Sequence, residues 1–410
     1  MRLSSFALVA VFAASSGARA ADLCAGAAAI DVPRELFVTD PAVVADARAE
    51  PGGPWHFSSV MKRLLPTAAT DKDASDLILG WLRTWDAEQR LVPDATKPAS
   101  PANPERKLAK RPGVYAKIAG AWLTASQKAR ADAGEPEDGT LKLALAPFAL
   151  RAIVYRPDRR DRTRCATSAG EGRFLFAALP EPTLHPTTVP LDDVLQMTVI
   201  FEFDLPVTAH DARGWAGVWH KLGAESCASA ADCDGYRKAL ESLTAQFSIG
   251  PLLAQLRTNE IIAFPSELRQ FALVDATTGR KALVNAPVSQ TPDLSLNNAE
   301  ALATWVNDNR AAILKETHVL PPNLIGMTAP VPRATRWKLP ATVDEELRFK
   351  LSKNTCNGCH GFEREKIPDV DGLWQFAPDG RISDFLKEQD LPARAAEVCA
   401  LLNAADCRDE

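Results

Sequence analysis

The chain predicts an α+β protein: a helical N-terminal region packed on a mainly antiparallel sheet, with a small helical C-terminal appendage. Three observations predict it. Apolar residues recur at helical spacing as far as residue 131, the period changes to two between 141 and 288, and prolines crowd the stretch from Pro321 to Pro340.

In order along the chain, residues 21–54 read as an extended arm interrupted by Pro33, Pro41, Pro51 and Pro54. Phe57 to Leu65 and Ser75 to Arg90 follow as a helical hairpin, the second helix carrying Leu77, Ile78, Trp81, Leu82 and Trp85 on one face. Pro93 to Pro104 is a loop, and Val114 to Ala131 is an amphipathic helix burying Ile118, Trp122 and Leu123. Leu141 to Tyr155, Arg173 to Leu179 and Gln196 to Phe203 read as strands, rich in β-branched and aromatic residues between Pro and Gly punctuation. Helices at Ala209 to Leu222 and Tyr236 to Phe247 interrupt the sheet. Strands resume at Gln255 to Ala263 and Leu268 to Val274, with a turn at Thr277 to Arg280 leading to Lys281 to Val288. Asn298 to Lys315 is a helix. Residues 21–320 thus form the body, 321–340 a linker and 341–410 an appendage.

The first twenty residues have the pattern of a secretory signal: Arg2, an apolar run from Phe6 to Ala14 and an Ala18-Arg19-Ala20 cleavage site, so the mature chain is expected to begin at Ala21 in the periplasm or beyond. Leu23 before Cys24 argues against a lipid anchor, and no later apolar run approaches the ~20 residues that cross a bilayer. A net charge of −5 without basic blocks gives no nucleic-acid signal. The charge is uneven, with fifteen acidic and nine basic residues between Ala341 and Glu410, so a redox partner docking there would present a basic surface. No metalloprotease, nucleophile-elbow, P-loop or dinucleotide fingerprint is present.

Cys356-Asn357-Gly358-Cys359-His360 spells C-x-x-C-H, the spacing at which two thiols reach the two vinyl groups of a haem and the next imidazole meets its iron. Cys356 and Cys359 would be thioether anchors of a covalent haem c and His360 the proximal ligand. Asp344 to Phe362, with helix-compatible 343–353 and Phe349 seven residues before the first thiol, resembles the segment of c-type cytochromes in which a helix carries a buried aromatic ahead of the motif. The resemblance implies a haem redox role. It departs from that family in having no Met or His after His360, leaving Met327 or His318 as distal ligand, or an open position. With its signal pattern, the segments PFALRAIVYRPD and LRTNEI and a terminal NTCNGCHG, the whole chain also looks like a group of secreted proteins of Gram-negative bacteria, a likeness that supplies no function.

Six cysteines remain after haem attachment, an even number in an oxidising compartment. Cys227 with Cys233, Cys399 with Cys407 and Cys24 with Cys165 are the expected disulfides; the alternative uses all eight cysteines in four disulfides. A zinc site and a thioredoxin-like dithiol are weaker readings, the latter because the motif follows a helix rather than a strand. In Ile200-Phe201-Glu202-Phe203-Asp204 the aromatics share one face and the acids the other. These acids, with Arg257 and Glu260, read as solvated sheet-face charge, the other reading being a polar ligand pocket. Trp81/Trp85 and Trp215/Trp219 read as core anchors, and His220 as an ordinary helix-end histidine. Two functions therefore compete: a periplasmic mono-haem c-type protein for electron transfer or haem redox chemistry, and a non-haem secreted binding or structural protein stabilised by four disulfides.

Overall fold

The computed structural model describes residues 29–90, 107–160, 168–263, 266–276, 279–326, 328–331, 337–358 and 376–403. Its strands are β1 (Phe37–Val38), β2 (Gln89–Arg90), β3 (Lys107–Leu108), β4 (Phe148–Arg156), β5 (Glu171–Ala178), β6 (Met197–Asp204), β7 (Leu253–Glu260), β8 (Ser266–Asp275), β9 (Lys281–Ala286) and β10 (Ala329–Val331). Eight of them form one sheet in the order β1-β4-β5-β6-β7-β8-β10, with β9 also on β8, and β2 pairs with β3 separately. Every pairing is antiparallel, and the protein is α+β.

Register sorts the side chains. Phe176 opposite Leu150, Phe201 opposite Phe174 and Leu256, and Phe271 opposite Leu256 share one face. Arg173 opposite Val154 and Glu202, and Gln255 opposite Glu202, share the other. The apolar face is covered by helices α1 (Phe57–Arg63), α2 (Asp71–Leu82) and α3 (Ala121–Asp132). Phe57 is the hub, stacked on Phe148 at 4.0 Å and edge-on to Phe176 at 5.4 Å and Phe201 at 5.8 Å, with Trp81 and Trp122 beside it. Thr70 and Asp73 start α2 with a capping box, each side chain bonding the other's backbone N–H. Helices α4 (Ala212–Leu222) and α5 (Asp234–Ala245) cover the far end of this face, where Trp215 and Trp219 close on Phe247. Trp81, Trp85, Trp215 and Trp219 are all fully buried, as core anchors should be. His220 is more than a helix-end residue: its Nδ1 lies 2.8 Å from Glu35, a buried carboxyl whose pKa burial pushes up.

Three departures from the sequence reading have local causes. The strand expected from Leu141 begins at Phe148, because Ser75, Trp122 and Ser58 take the backbone groups of Leu141, Lys142 and Leu143 before a neighbouring strand can. The helix expected over 298–315 is two, α6 (Glu300–Asp308) and a turn at Arg310–Leu314, divided where Asn309 folds back onto the Trp305 carbonyl. The proline-rich linker contributes β10, an edge strand, where a missing amide donor is tolerated.

The described part of 341–410 packs into two cores rather than standing apart. Helix α7 (Glu345–Lys353) puts Leu347 and Leu351 into a cluster with Leu302, Val306, Ile313 and Trp337. Helix α8 (Leu391–Asn403) puts Leu391, Val398 and Leu401 into the main core. Apolar faces of single helices this short need a partner surface, and the body supplies it. Among the described residues no helix is long and apolar enough to cross a membrane.

Candidate functional site: the CNGCH segment

Helix α7 opens at Asp344, whose Oδ1 accepts from Leu347 N at 2.9 Å, and ends at Asn354. Thr355 starts a new turn, its Oγ1 accepting from Gly358 N at 3.0 Å, so Cys356 is the first residue of that turn. Trp337 Nε1 donates both to Thr355 Oγ1 at 2.9 Å and to Asn357 Oδ1 at 3.0 Å, and Arg348 Nη1 donates to the Trp337 carbonyl. Thr355 and Asn357, the residues on either side of Cys356, are thus held by one fully buried indole.

Gly358 is required by space. A Cβ there would lie 2.3 Å from the Ser352 carbonyl and 2.4 Å from Thr355 Oγ1. Gly358→Ala is expected to displace the turn and to cost about 1–3 kcal/mol, measured by urea denaturation. An unchanged midpoint would show that the turn can move freely.

Cys356 carries a free thiol. It is half-buried against Leu268, Val288 and Ala329, and its backbone N donates to Thr291 Oγ1 at 3.0 Å. The residue before Thr291 holds a second segment. Gln290, in the left-handed region at φ 59°, donates from Nε2 to the His318 carbonyl and accepts at Oε1 from Leu320 N. One loop therefore clamps both the first cysteine of the motif and the backbone around His318. The His318 side chain is buried beside Trp305, its Nδ1 has no hydrogen-bond partner, and burial pushes its pKa down. A neutral imidazole with an unused nitrogen is a competent metal ligand. Cys359, His360 and Met327 lie outside the described residues, as do the signal segment, Cys24, Cys165 and Cys407.

Cys227 and Cys233 form the expected disulfide. Cys399 is also disulfide-bonded, and none of the described cysteines is its partner. Phe349, read as the buried aromatic of the motif's helix, is 39% exposed. The periodicity of α7 turns Leu347, Arg348 and Leu351 inward and Phe349 away from them.

The polar sheet face is not solvated. Glu202 is fully enclosed, 3.1 Å from Arg173 Nη1, 3.8 Å from Arg257 Nε and hydrogen-bonded by Gln255. Arg173 also pairs with Glu171, and Arg156 holds Asp158 at 2.7 Å, beneath Arg394 of α8. Burial works against Glu171, but Arg173, Arg159 and Arg156 hold its pKa down to about 2. At the other end burial works against the Arg257 charge, yet Glu202 and then Cys356 raise its pKa, so the thiol of the motif lies within reach of this network. Of the charges read as solvated, only Asp204 is half-exposed and Arg257 nearly enclosed; Glu260 is buried on the opposite face against Arg111. Chain from the C-terminal third covers this face, which strand alternation alone could not reveal.

Among the described residues no group of three or more His, Cys, Asp or Glu side chains is arranged to hold a metal ion. Sequence reasoning missed Trp337, Gln290 and Thr291; a tryptophan amid prolines was the only signal for any of them. Comparison with family models, curated proteins and solved structures found none that matches the chain.

Proposed function

We propose that this is a periplasmic mono-haem c-type protein with an electron-transfer or haem redox role. The observation that carries the reading is CNGCH itself, following a signal-like N-terminus, with Cys356 a free thiol at the first turn of a helix. Cys356 and Cys359 would hold the haem c by thioethers and His360 its iron. When bound, the group supplies a one-electron iron centre. The protein's own share is to present the first thiol from a turn fixed by Thr291, Thr355 and Trp337, and to keep an apolar wall of Leu268, Val288 and Ala329 beside it. For the distal position His318 is the candidate with support: its Nδ1 has no hydrogen-bond partner, burial favours the neutral imidazole, and its segment is clamped by the loop that holds Cys356. A histidine there would give a lower potential than a methionine. The acidic balance of residues 341–410 fits a redox partner with a basic surface.

The test is the full chain produced in a strain able to attach haem, examined by intact mass and reduced absorption. We expect a mass increased by one haem and an α-band, both lost in Cys356→Ala and Cys359→Ala. A mass equal to the disulfide-bonded polypeptide, with no α-band, rejects the reading and leaves the non-haem binding or structural role. His318→Ala should move the spectrum and Met327→Leu should not; the reverse result would transfer the distal position to Met327.

A further inference from the structure

Strand β4 contains a bulge. Leu150 pairs with Phe176 and Ala152 with Leu175, so Arg151 has no residue opposite it on β5. Its side chain is 7% exposed, and Nε and Nη2 are enclosed with no hydrogen-bond partner. Asp379 is the acid whose charge reaches it, yet that carboxylate is held by Arg381 at 2.7 Å. Asp379 sits in the turn after Phe376, which packs edge-on against Phe37; Phe37 pairs with Val154 on the polar face, which places Arg151 on that face.

Arg156, Arg173 and Arg257 on the same face all have carboxylate partners. Arg151 is the exception. A guanidinium cannot shed its proton, and leaving one buried without a counter-ion is strongly unfavourable. Ala149, Ala152 and Ala177, its neighbours on this face, have no polar side-chain atom to offer the fork.

We propose that Arg151 anchors a binding site for a carboxylate, taken bidentately by the guanidinium. The planar two-oxygen group matches the fork, and a single cation with Asp379 nearby suits a monoanion better than a phosphate dianion. Two sources carry this chemistry. One is a free small carboxylate. The other is a haem propionate, and only that source rests on the haem reading. Register supports it: Arg257, Ile200, Leu175 and Ala152 lie opposite one another across β7, β6, β5 and β4. Three strand spacings, about 14 Å, thus separate the residue that feels Cys356 from the bulge at Arg151, with the apolar Ile200 and Leu175 between them.

The experiment is thermal unfolding of the full chain, with and without attached haem, titrated with sodium acetate against sodium chloride at equal ionic strength. Wild-type protein without haem should show a saturable rise in Tm with acetate beyond chloride. Arg151→Leu should abolish it, and Arg151→Lys should raise the half-saturating concentration by roughly tenfold, as loss of the fork predicts. A response confined to haem-free protein assigns the site to a propionate; a response in both forms assigns it to a free carboxylate. No acetate-specific response of the wild type in either form overturns the proposal. Whether haem attaches at all is read separately by mass, so failure of that reading leaves the haem-free titration decisive.

Discussion

Trp337→Ala is expected to remove about 3–5 kcal/mol of folding stability and, on the proposed haem reading, to lower the yield of attachment with it. The indole is fully buried at the centre of the smaller core, among Leu347, Leu351 and Leu302, so truncation leaves a cavity in a cluster with few other large side chains. It also strips Thr355 and Asn357 of a shared donor. Trp337→Phe separates the two effects. It keeps most of the ring volume but removes the N–H, and should cost about 1–3 kcal/mol for acceptors left without it. Urea denaturation measures the stability, and the α-band per polypeptide measures attachment. If Trp337→Phe matched wild type in both, the indole hydrogen bonds would have no part in shaping the motif.

Glu202→Ala is expected to cost a similar ~3–5 kcal/mol, because it leaves Arg173 and Arg257 facing each other in a buried setting where one carboxylate had joined them. Arg173 keeps Glu171, so Arg257 is the residue exposed to the full loss. The same network predicts a pH dependence. Glu171 has a folded pKa of about 2 against an ordinary 4.5, so its stabilisation is complete above pH 4.5 and is lost as the pH falls towards 2. Asp158, whose pKa Arg156 and Arg394 depress despite burial, acts in the same direction. Glu35 acts oppositely: burial raises its pKa, so its ionisation weakens the fold as the pH rises past 4.5. Comparison with Glu171→Gln therefore isolates the effect. Between pH 4.5 and 2 the wild type should lose stability more steeply than the variant; parallel curves would show that Glu171 gains nothing from its arginines.

Much of the architecture was legible because it follows from local periodicity. The alternation in 196–203 placed Phe201 and Phe203 on one face and Glu202 on the other, and Trp81 and Trp85 announced a buried helix face one turn apart. Boundaries failed where side chains from distant elements took the backbone bonds, as Ser75, Trp122 and Ser58 do over Leu141 to Leu143. Solvation of the polar face failed for a related reason. A charged row on a strand looks the same in sequence whether water or another segment lies above it, and here Arg394 from α8 reaches Asp158 across 236 positions of chain.

For the site the division is sharper. By itself the sequence determined the motif, its spacing and the absence of a Met or His after it, since thioether attachment depends on residues within five positions of one another. It also determined the α+β class, through two periodicities that need no knowledge of contacts. Only the tertiary structure decided that Gln290 and Thr291 tie His318 and Cys356 to one loop, that Trp337 supports the motif, and that Arg151 is buried without a partner. Those facts depend on hydrogen bonds and burial between segments 18 to 65 residues or more apart, and such pairings leave no periodic trace along the chain.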